Sequence, residues 1–152
     1  MSSPGDVDDA IRELLLLMPR MVGRAKRLPV PERVRSLELS PRHLSLLALL
    51  LFDGPATVND LAVRLEVAPT TVSLMVADLS RKGVLERRED EADRRRRIVS
   101  ITAAMRPEIE AWLAGGAAAW RKALAPLTDA QRRCFVDTLL AYERALEDPD
   151  AG

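Results

Sequence analysis

The sequence predicts a mostly helical protein of the α+β class that contains one small β-hairpin. Apolar residues recur with the period of an α-helix over most of its 152 positions. Only 3% of the residues are aromatic, so Leu, Val, Ala and Ile must build the core, and this composition favours helices. After Gly83 the apolar period changes to two, which is the spacing of β-strands. A chain of this length predicts a single domain.

The first predicted helix runs from Val7 to Leu28, with Asp6 as its N-cap and Pro19 as the site of a kink. Its apolar face comprises Ile11, Leu14, Leu15, Met18, Val22 and Ala25. The run Leu14–Leu17 is apolar all round, which indicates a second buried contact such as a partner subunit. A kinked core helix within one subunit is the alternative. The Pro-rich segment Pro29–Leu39 is predicted to be a connector.

Two short helices are predicted next. Ser40 caps the first of them, and its predicted buried stripe comprises Leu44, Leu47, Ala48 and Leu51. The second helix covers Asp60–Glu66, with Thr57 or Asn59 as its cap. Only residues 67 and 68 separate it from the following helix, and this is the spacing of a helix-turn-helix motif.

The helix predicted from Pro69 to Lys82 has the clearest pattern in the chain. Its residues at the i, i+3, i+4, i+7 spacing of a one-sided buried helix are Val72, Met75, Val76 and Leu79. Pro69 suits a first helical turn, and Gly83 ends the helix after two cations at its negative end. The side chains that remain near the free N-terminal end are Thr70, Thr71, Ser73 and Leu74.

A β-hairpin is predicted after this helix. Its strands are Val84–Arg88 and Ile98–Thr102, and the polar loop Glu89–Arg97 contains four consecutive arginines. The formal net charge of the chain is zero, but Arg81–Arg97 holds eight basic and five acidic residues. A helix with small hydroxylated side chains fits a major groove, and a hairpin arginine reaches a minor groove or a phosphate. These two elements therefore indicate binding of duplex DNA; a solvated charged loop is the alternative.

The remainder of the chain is predicted to be helical. One helix covers Ala103–Ala125, and Thr128 with Gln131 forms a capping box that opens the last helix. The single cysteine, Cys134, lies among apolar residues of that last helix and is predicted to be buried. One cysteine excludes an internal disulfide and suits a reducing cytoplasm, and the acidic N-terminus does not resemble a signal peptide. We therefore expect a cytoplasmic protein without a membrane span.

Several classes of site are not expected. A single histidine with one distant cysteine does not form a closed zinc site, so no structural metal and no cofactor are predicted. The chain has no paired nucleophile and base in an evident motif and no Gly-rich phosphate loop. The sequence accordingly predicts that the protein is not an enzyme.

Three motifs in the segment Leu61–Thr102 resemble the winged helix-turn-helix core of the MarR family of bacterial transcription regulators. They are LAVRL at Leu61–Leu65, RKGVLER at Arg81–Arg87, and the DRR tip at Asp93–Arg95 with the strand that follows it. The resemblance implies a homodimeric repressor of a pseudo-palindromic operator that responds to a small aromatic effector. Residues 6–39 and 103–147 would then form dimerisation helices, and residues 40–102 the DNA-binding lobe.

The resemblance also implies which residues contact DNA. On the helix and the hairpin these are Pro69, Thr70, Thr71, Ser73, Leu74, Arg81, Lys82, Arg94 and Arg95. Arg95 enters the minor groove and Asp93 orients it. The chain departs from the usual family pattern at Glu66, Ala68, Leu74 and Asp78, which removes expected phosphate and base contacts.

An effector pocket between the dimerisation helices and the DNA-binding lobe is implied as well, with Arg20, His43 and Trp112 as candidate lining residues. The alternative function, from a different class, is a winged-helix dimer that docks another protein and does not bind DNA. The unusual Leu74 and Asp78 are the residues that support this alternative.

Overall fold

The computed structural model describes the backbone of residues 4–147 and the side chains from Asp6 onward. Its helices are α1 Pro4–Ala25, α2 Glu32–Arg35, α3 Pro41–Asp53, α4 Val58–Leu65, α5 Pro69–Arg81, α6 Arg106–Leu124 and α7 Asp129–Glu147. Its strands are β1 Ala56–Thr57, β2 Leu85–Glu89 and β3 Arg97–Ile101. The chain forms two compact units, and the boundary between them lies between Gly116 and Ala117. How the chain divides into functional domains stays a prediction.

The core of the first unit is formed by apolar side chains of α2 to α6 and by the sheet, whereas none of the described side chains of α1 is buried. Its largest fully buried side chains are Leu46, Leu47, Leu50, Leu61, Leu79, Ile109, Val34, Val72, Val76, Val84 and Val99. The strands form an antiparallel sheet in the order β1-β3-β2, with Ala56 opposite Val99 and Leu85 opposite Ile101. The mostly helical fold with one small hairpin, predicted from the sequence, is confirmed.

Short caps and turns set the ends of these elements. Ser40 Oγ accepts the N–H of His43 and Thr57 Oγ1 accepts the N–H of Asp60, so both helices begin where a hydroxyl satisfies a free donor. Gly83 follows α5 with φ +75°, a backbone conformation that favours glycine. The hydroxyl of Thr102 donates to the Gly83 carbonyl at 2.8 Å, which joins the end of β3 to the end of α5.

Several predictions about these elements were wrong in detail. Helix α1 begins at Pro4 and ends at Ala25, and the predicted connector contains the helical turn α2, where Val34 is buried. The stripe that α3 buries is Leu46, Leu47 and Leu50, because its continuous apolar run Leu46–Phe52 offers several overlapping stripes. Helix α6 starts at Arg106, since Met105 and Arg106 first close a turn onto the Thr102 carbonyl.

The second unit contains the end of α6 and all of α7. The capping box of Thr128 and Gln131 is present, with N–H to side-chain oxygen distances of 2.9 and 3.2 Å. Trp120 and Phe135 contact each other with ring centroids 5.7 Å apart. Cys134, however, is exposed, so its predicted burial was wrong. The physical reason is that α7 has no buried residues.

Among residues 4–147 no helix is long and apolar enough to cross a bilayer.

Candidate nucleic-acid interface

Helix α5 buries one face and leaves the opposite face open. Val72, Val76 and Leu79 are fully buried, whereas Leu74 has 73% of its surface exposed. Leu74 is two residues from both valines, so its side chain lies about 160° around the helix axis from each of them. Thr70 and Ser73 are exposed on this open side, and Thr71 at its edge is half-buried.

The turn before α5 presents the N-terminal end of that helix. Glu66 ends α4 in the left-handed conformation with φ 54°, which explains why glycine is favoured at such a turn. Ala68 is the N-cap of α5 and makes no side-chain cap hydrogen bond, and Pro69 occupies the first helical position. Because Ala68 supplies no capping side chain, the positive end of the α5 helix dipole is open to an anion.

A carboxylate at Asp78 holds three cationic or protonatable groups at the other end of α5. Its Oδ1 lies 3.2 Å from Nη2 of Arg81, and its Oδ2 lies 3.2 Å from Nζ of Lys82. The Nε2 of His43, on α3, lies 3.8 Å from the same Oδ2. Lys82 also donates to the Leu37 carbonyl at 3.0 Å. Asp78 thus connects α5 to the segment that enters α3.

Each ring nitrogen of His43 faces a polar group of the protein. Its Nδ1 accepts the N–H of Ser40 at 3.2 Å, so the proton of the neutral ring is on Nε2, which faces Asp78. The other two residues predicted to line an effector pocket lie elsewhere in the same unit. Arg20 is exposed on α1, and Trp112 is half-buried against the core.

The tip of the hairpin is organised by Asp93. Its Oδ1 accepts the backbone N–H of Arg95 at 3.1 Å and the Nε–H at 3.2 Å, and its Oδ2 lies 3.5 Å from Nη2. The hydrogen bond from the Arg95 side chain is the main cause that lowers the pKa of Asp93; the backbone hydrogen bond from Arg95 and the charge of Arg96 add to it. The ion pair therefore persists at neutral pH and is lost only as the pH falls through this lowered pKa.

The arginines of the tip differ in their surroundings. The Arg95 side chain is 91% exposed although Asp93 orients it, and Arg94 is exposed as well. Arg96, in contrast, lies 3.7 Å from the Asp60 carboxylate of α4. A cleft of about 490 Å³ separates Arg95–Arg97 from the N-terminal turn of α4. The ion pair of Arg96 with Asp60 joins the two walls of this cleft.

Contacts between distant residues at the site were not predicted from the sequence. The pairing of Asp78 with His43 and that of Asp60 with Arg96 each join residues 35 or 36 positions apart. No short-range pattern marks such pairs. The unusual acid at Asp78 was the one available signal, and it indicated a lost DNA contact without indicating its partners.

A helix-turn-helix whose second helix has an open face, followed by a hairpin with an ordered arginine tip, defines a winged helix-turn-helix protein. The profile of the MarR family matches residues 37–96. HTH-type transcriptional repressor MdtR of Bacillus subtilis (strain 168) is 34% identical to this chain over 102 residues. The alignment covers 65% of this chain and 66% of the repressor, so the chain spans just under two thirds of that relative's length.

Solved structures agree with this comparison. A probable transcriptional regulator from Pseudomonas aeruginosa is 29% identical with a TM-score of 0.56, covering 90% of this chain and 98% of that one. The same fold occurs in the S. aureus MepR–DNA complex, with 18% identity, a TM-score of 0.56, and coverage of 86% of this chain and 98% of that one. The chain belongs to the MarR family, whose members are transcription regulators and not enzymes. The family resemblance drawn from the sequence is confirmed.

Proposed function

We propose that the protein is a homodimeric repressor that binds a pseudo-palindromic operator in duplex DNA. The observation that carries this proposal is the pairing of an open α5 face with the ordered arginine tip. The open face of α5 enters the major groove, where Pro69, Thr70, Thr71, Ser73 and Leu74 meet bases and phosphates. Arg95 enters the adjacent minor groove while Asp93 keeps it oriented, and Arg94 contacts a phosphate. Such a regulator acts where the chromosome is, in the cytoplasm.

Exposed apolar side chains support the homodimer. On α1 the residues Val7, Ile11, Leu14, Leu15, Leu16, Leu17, Met21 and Val22 are exposed. On α7 the residues Val136, Leu139, Leu140, Tyr142 and Leu146 are exposed. Side chains of this kind in such number mark an interaction surface. A second copy buries each set, and two recognition helices then meet major grooves about 34–36 Å apart.

We propose that a small aromatic effector relieves DNA binding by competing for His43. Arg20 and Trp112 are the other proposed contacts of the effector. The His43 ring contacts both Ser40 and Asp78 on α5. An effector that binds this ring replaces the contact with Asp78 and thereby loosens the recognition helix. A coupling of about 1–3 kcal/mol between effector and DNA is expected for such a mechanism.

The second candidate function is a protein-docking dimer without DNA binding. A carboxylate at Asp78 on the recognition helix favours it, because it repels phosphates and pairs with two nearby cations. The salt dependence of binding separates the two functions. Retention on duplex DNA that falls steeply with rising salt supports the regulator, and no retention at low salt supports the docking protein.

The wing is tested by Arg95→Ala. We expect weaker binding to every duplex sequence. The slope of log affinity against log salt concentration should become shallower by about 0.9 for each arginine–phosphate contact that the substitution removes. Binding is measured by fluorescence anisotropy at several salt concentrations on one operator fragment and one unrelated duplex. Arg24→Ala, which removes an exposed cation at the end of α1, is the matched control and keeps the wild-type slope. An Arg95→Ala protein with wild-type binding at every salt concentration contradicts the role of the wing.

Asp78 is tested by Asp78→Asn in the same assay. Asp78 and a DNA phosphate compete for Arg81, whose side chain is 77% exposed. We expect the salt dependence to become steeper by about 0.9 for each guanidinium released to a phosphate. Arg81→Ala in the Asp78→Asn background is expected to reverse this increase in the salt-dependence slope. If Asp78→Asn leaves the slope unchanged, Arg81 does not reach the DNA, and if the gain survives Arg81→Ala, another cation causes it.

A further inference from the structure

The centre of the open face of α5 is an exposed leucine. Positions 70, 74, 77 and 81 fall within about 60° of one another around the helix axis, directly opposite the buried stripe. Leu74 is therefore the middle of the surface that enters the groove under the proposed function. A single exposed leucine is common on proteins; the distinguishing feature of Leu74 is that the helix turns it away from every core residue of α5.

The neighbours of Leu74 on this face are short or distant. Thr70 precedes it by one turn and Ala77 follows it by one turn. Both side chains are shorter than leucine, so neither reaches as far from the helix axis. Arg81, two turns further on, is drawn toward Asp78. Leu74 is thus the side chain that extends furthest from the N-terminal half of the helix, and it touches the floor of a groove first.

A leucine offers no hydrogen bond to a base edge. The major-groove edges of the four base pairs carry donors and acceptors, with one apolar group among them, the 5-methyl of thymine. Desolvating an acceptor or a donor against leucine leaves that group unpaired, whereas covering a methyl group removes two apolar surfaces from water. The chemistry of Leu74 therefore selects thymine and discriminates against cytosine and guanine at the position it meets.

We propose that Leu74 is a specificity-determining residue that reads a thymine 5-methyl group in each half-site. This inference rests on the proposed function, and it names what the unusual residue recognises. Its location also disfavours a protein partner as the target, because Thr70, Ser73, Ala77 and Arg81 supply no apolar cluster around it. A protein hot spot requires such a cluster of anchors in a desolvated pocket.

Deoxyuridine tests this proposal directly, since it pairs as thymidine does and lacks the 5-methyl group. A binding site is selected from randomised duplex DNA with the full chain, and each thymine in it is replaced in turn by deoxyuridine. At one symmetric position per half-site we expect the affinity to fall about fourfold for each methyl removed, the factor equivalent to ~0.8 kcal/mol for one buried methyl-sized group. Substitution in both half-sites gives a loss of about fifteenfold if the two contributions add.

Variants of the protein assign the effect to one side chain. In Leu74→Ala the loss caused by deoxyuridine at that position shrinks to less than about twofold, while the protein still binds. Arg24→Ala is the control, because it removes an exposed side chain outside the proposed DNA contacts and keeps the full loss. A loss that persists in Leu74→Ala, or wild-type binding that ignores deoxyuridine at every thymine, overturns the assignment to Leu74. Failure of the wild-type chain to bind any duplex at low salt is a different result, and it removes the proposed function itself.

Discussion

Replacing Leu79 by alanine will lower the free energy of unfolding by about 2–5 kcal/mol, whereas replacing Leu74 will change it by less than about 0.5 kcal/mol. The two leucines lie in the same helix, and the first is fully buried while the second is 73% exposed. Leu79→Ala removes buried methyl groups and leaves a cavity against the other core residues. Leu74→Ala removes side-chain atoms that are already in water. Urea unfolding followed by circular dichroism measures both.

This pair of substitutions tests the rotation of α5, on which the assignment of every DNA contact depends. A rotation of one residue, about 100°, would change which side chains face the core. The variants share a chemistry and a helix, so differences in helix propensity cancel between them. Equal losses of stability for the two would show that α5 is rotated from the orientation described, and the proposed DNA contacts would move with it.

The sequence predicted α5 well because its pattern is unambiguous. Apolar residues occur on one side of the helix and polar residues on most of the other, so a single rotation satisfies the burial of Val72, Val76 and Leu79. Helix α3 is the opposite case. Its continuous apolar run Leu46–Phe52 allows several buried faces, and only the surrounding elements select Leu46, Leu47 and Leu50.

Elements and contacts defined by distant partners could not be predicted. Strand β1 has two residues, and it exists because Ala56 and Thr57 pair with β3, which lies about forty positions later. The pairing of Asp78 with His43 is likewise a product of how α3 and α5 pack. The burial predicted for Cys134 is wrong for a related reason: the apolar residues of α7 predict a buried helix, but α7 has no buried residue in a single chain.

The exposed apolar side chains of α1 lead to the second large expected effect. We expect Leu15→Glu to convert the proposed dimer into a monomer, because Leu15 is 66% exposed in the single chain and the proposed interface buries it. Each protomer would then carry a carboxylate into an apolar contact, at a desolvation cost of several kcal/mol per charge. Since each 1.4 kcal/mol is tenfold in a dissociation constant, we expect the dimer to weaken by at least about a hundredfold. Multi-angle light scattering at micromolar concentration measures the change.

Arg24→Gln is the matched control for this experiment. It changes the net charge by the same single unit as Leu15→Glu and lies nine residues away, which places it about 180° around the axis of α1. Unfolding of both variants should match that of the wild-type chain under conditions where the wild type is itself monomeric. A Leu15→Glu protein that remains a dimer would show that the α1 surface is not the interface. Leu139→Glu then asks the same question of α7.

Loss of the dimer has a consequence for DNA that separates it from loss of a contact. A monomer places one recognition helix in one half-site and forfeits the gain from linking two, which amounts to a factor of about 10²–10⁴. Leu15→Glu should therefore bind a full palindrome no better than an isolated half-site, while its affinity for the half-site equals that of Arg24→Gln. Equal preference for the palindrome in both variants would mean that α1 does not hold the two DNA-binding lobes together.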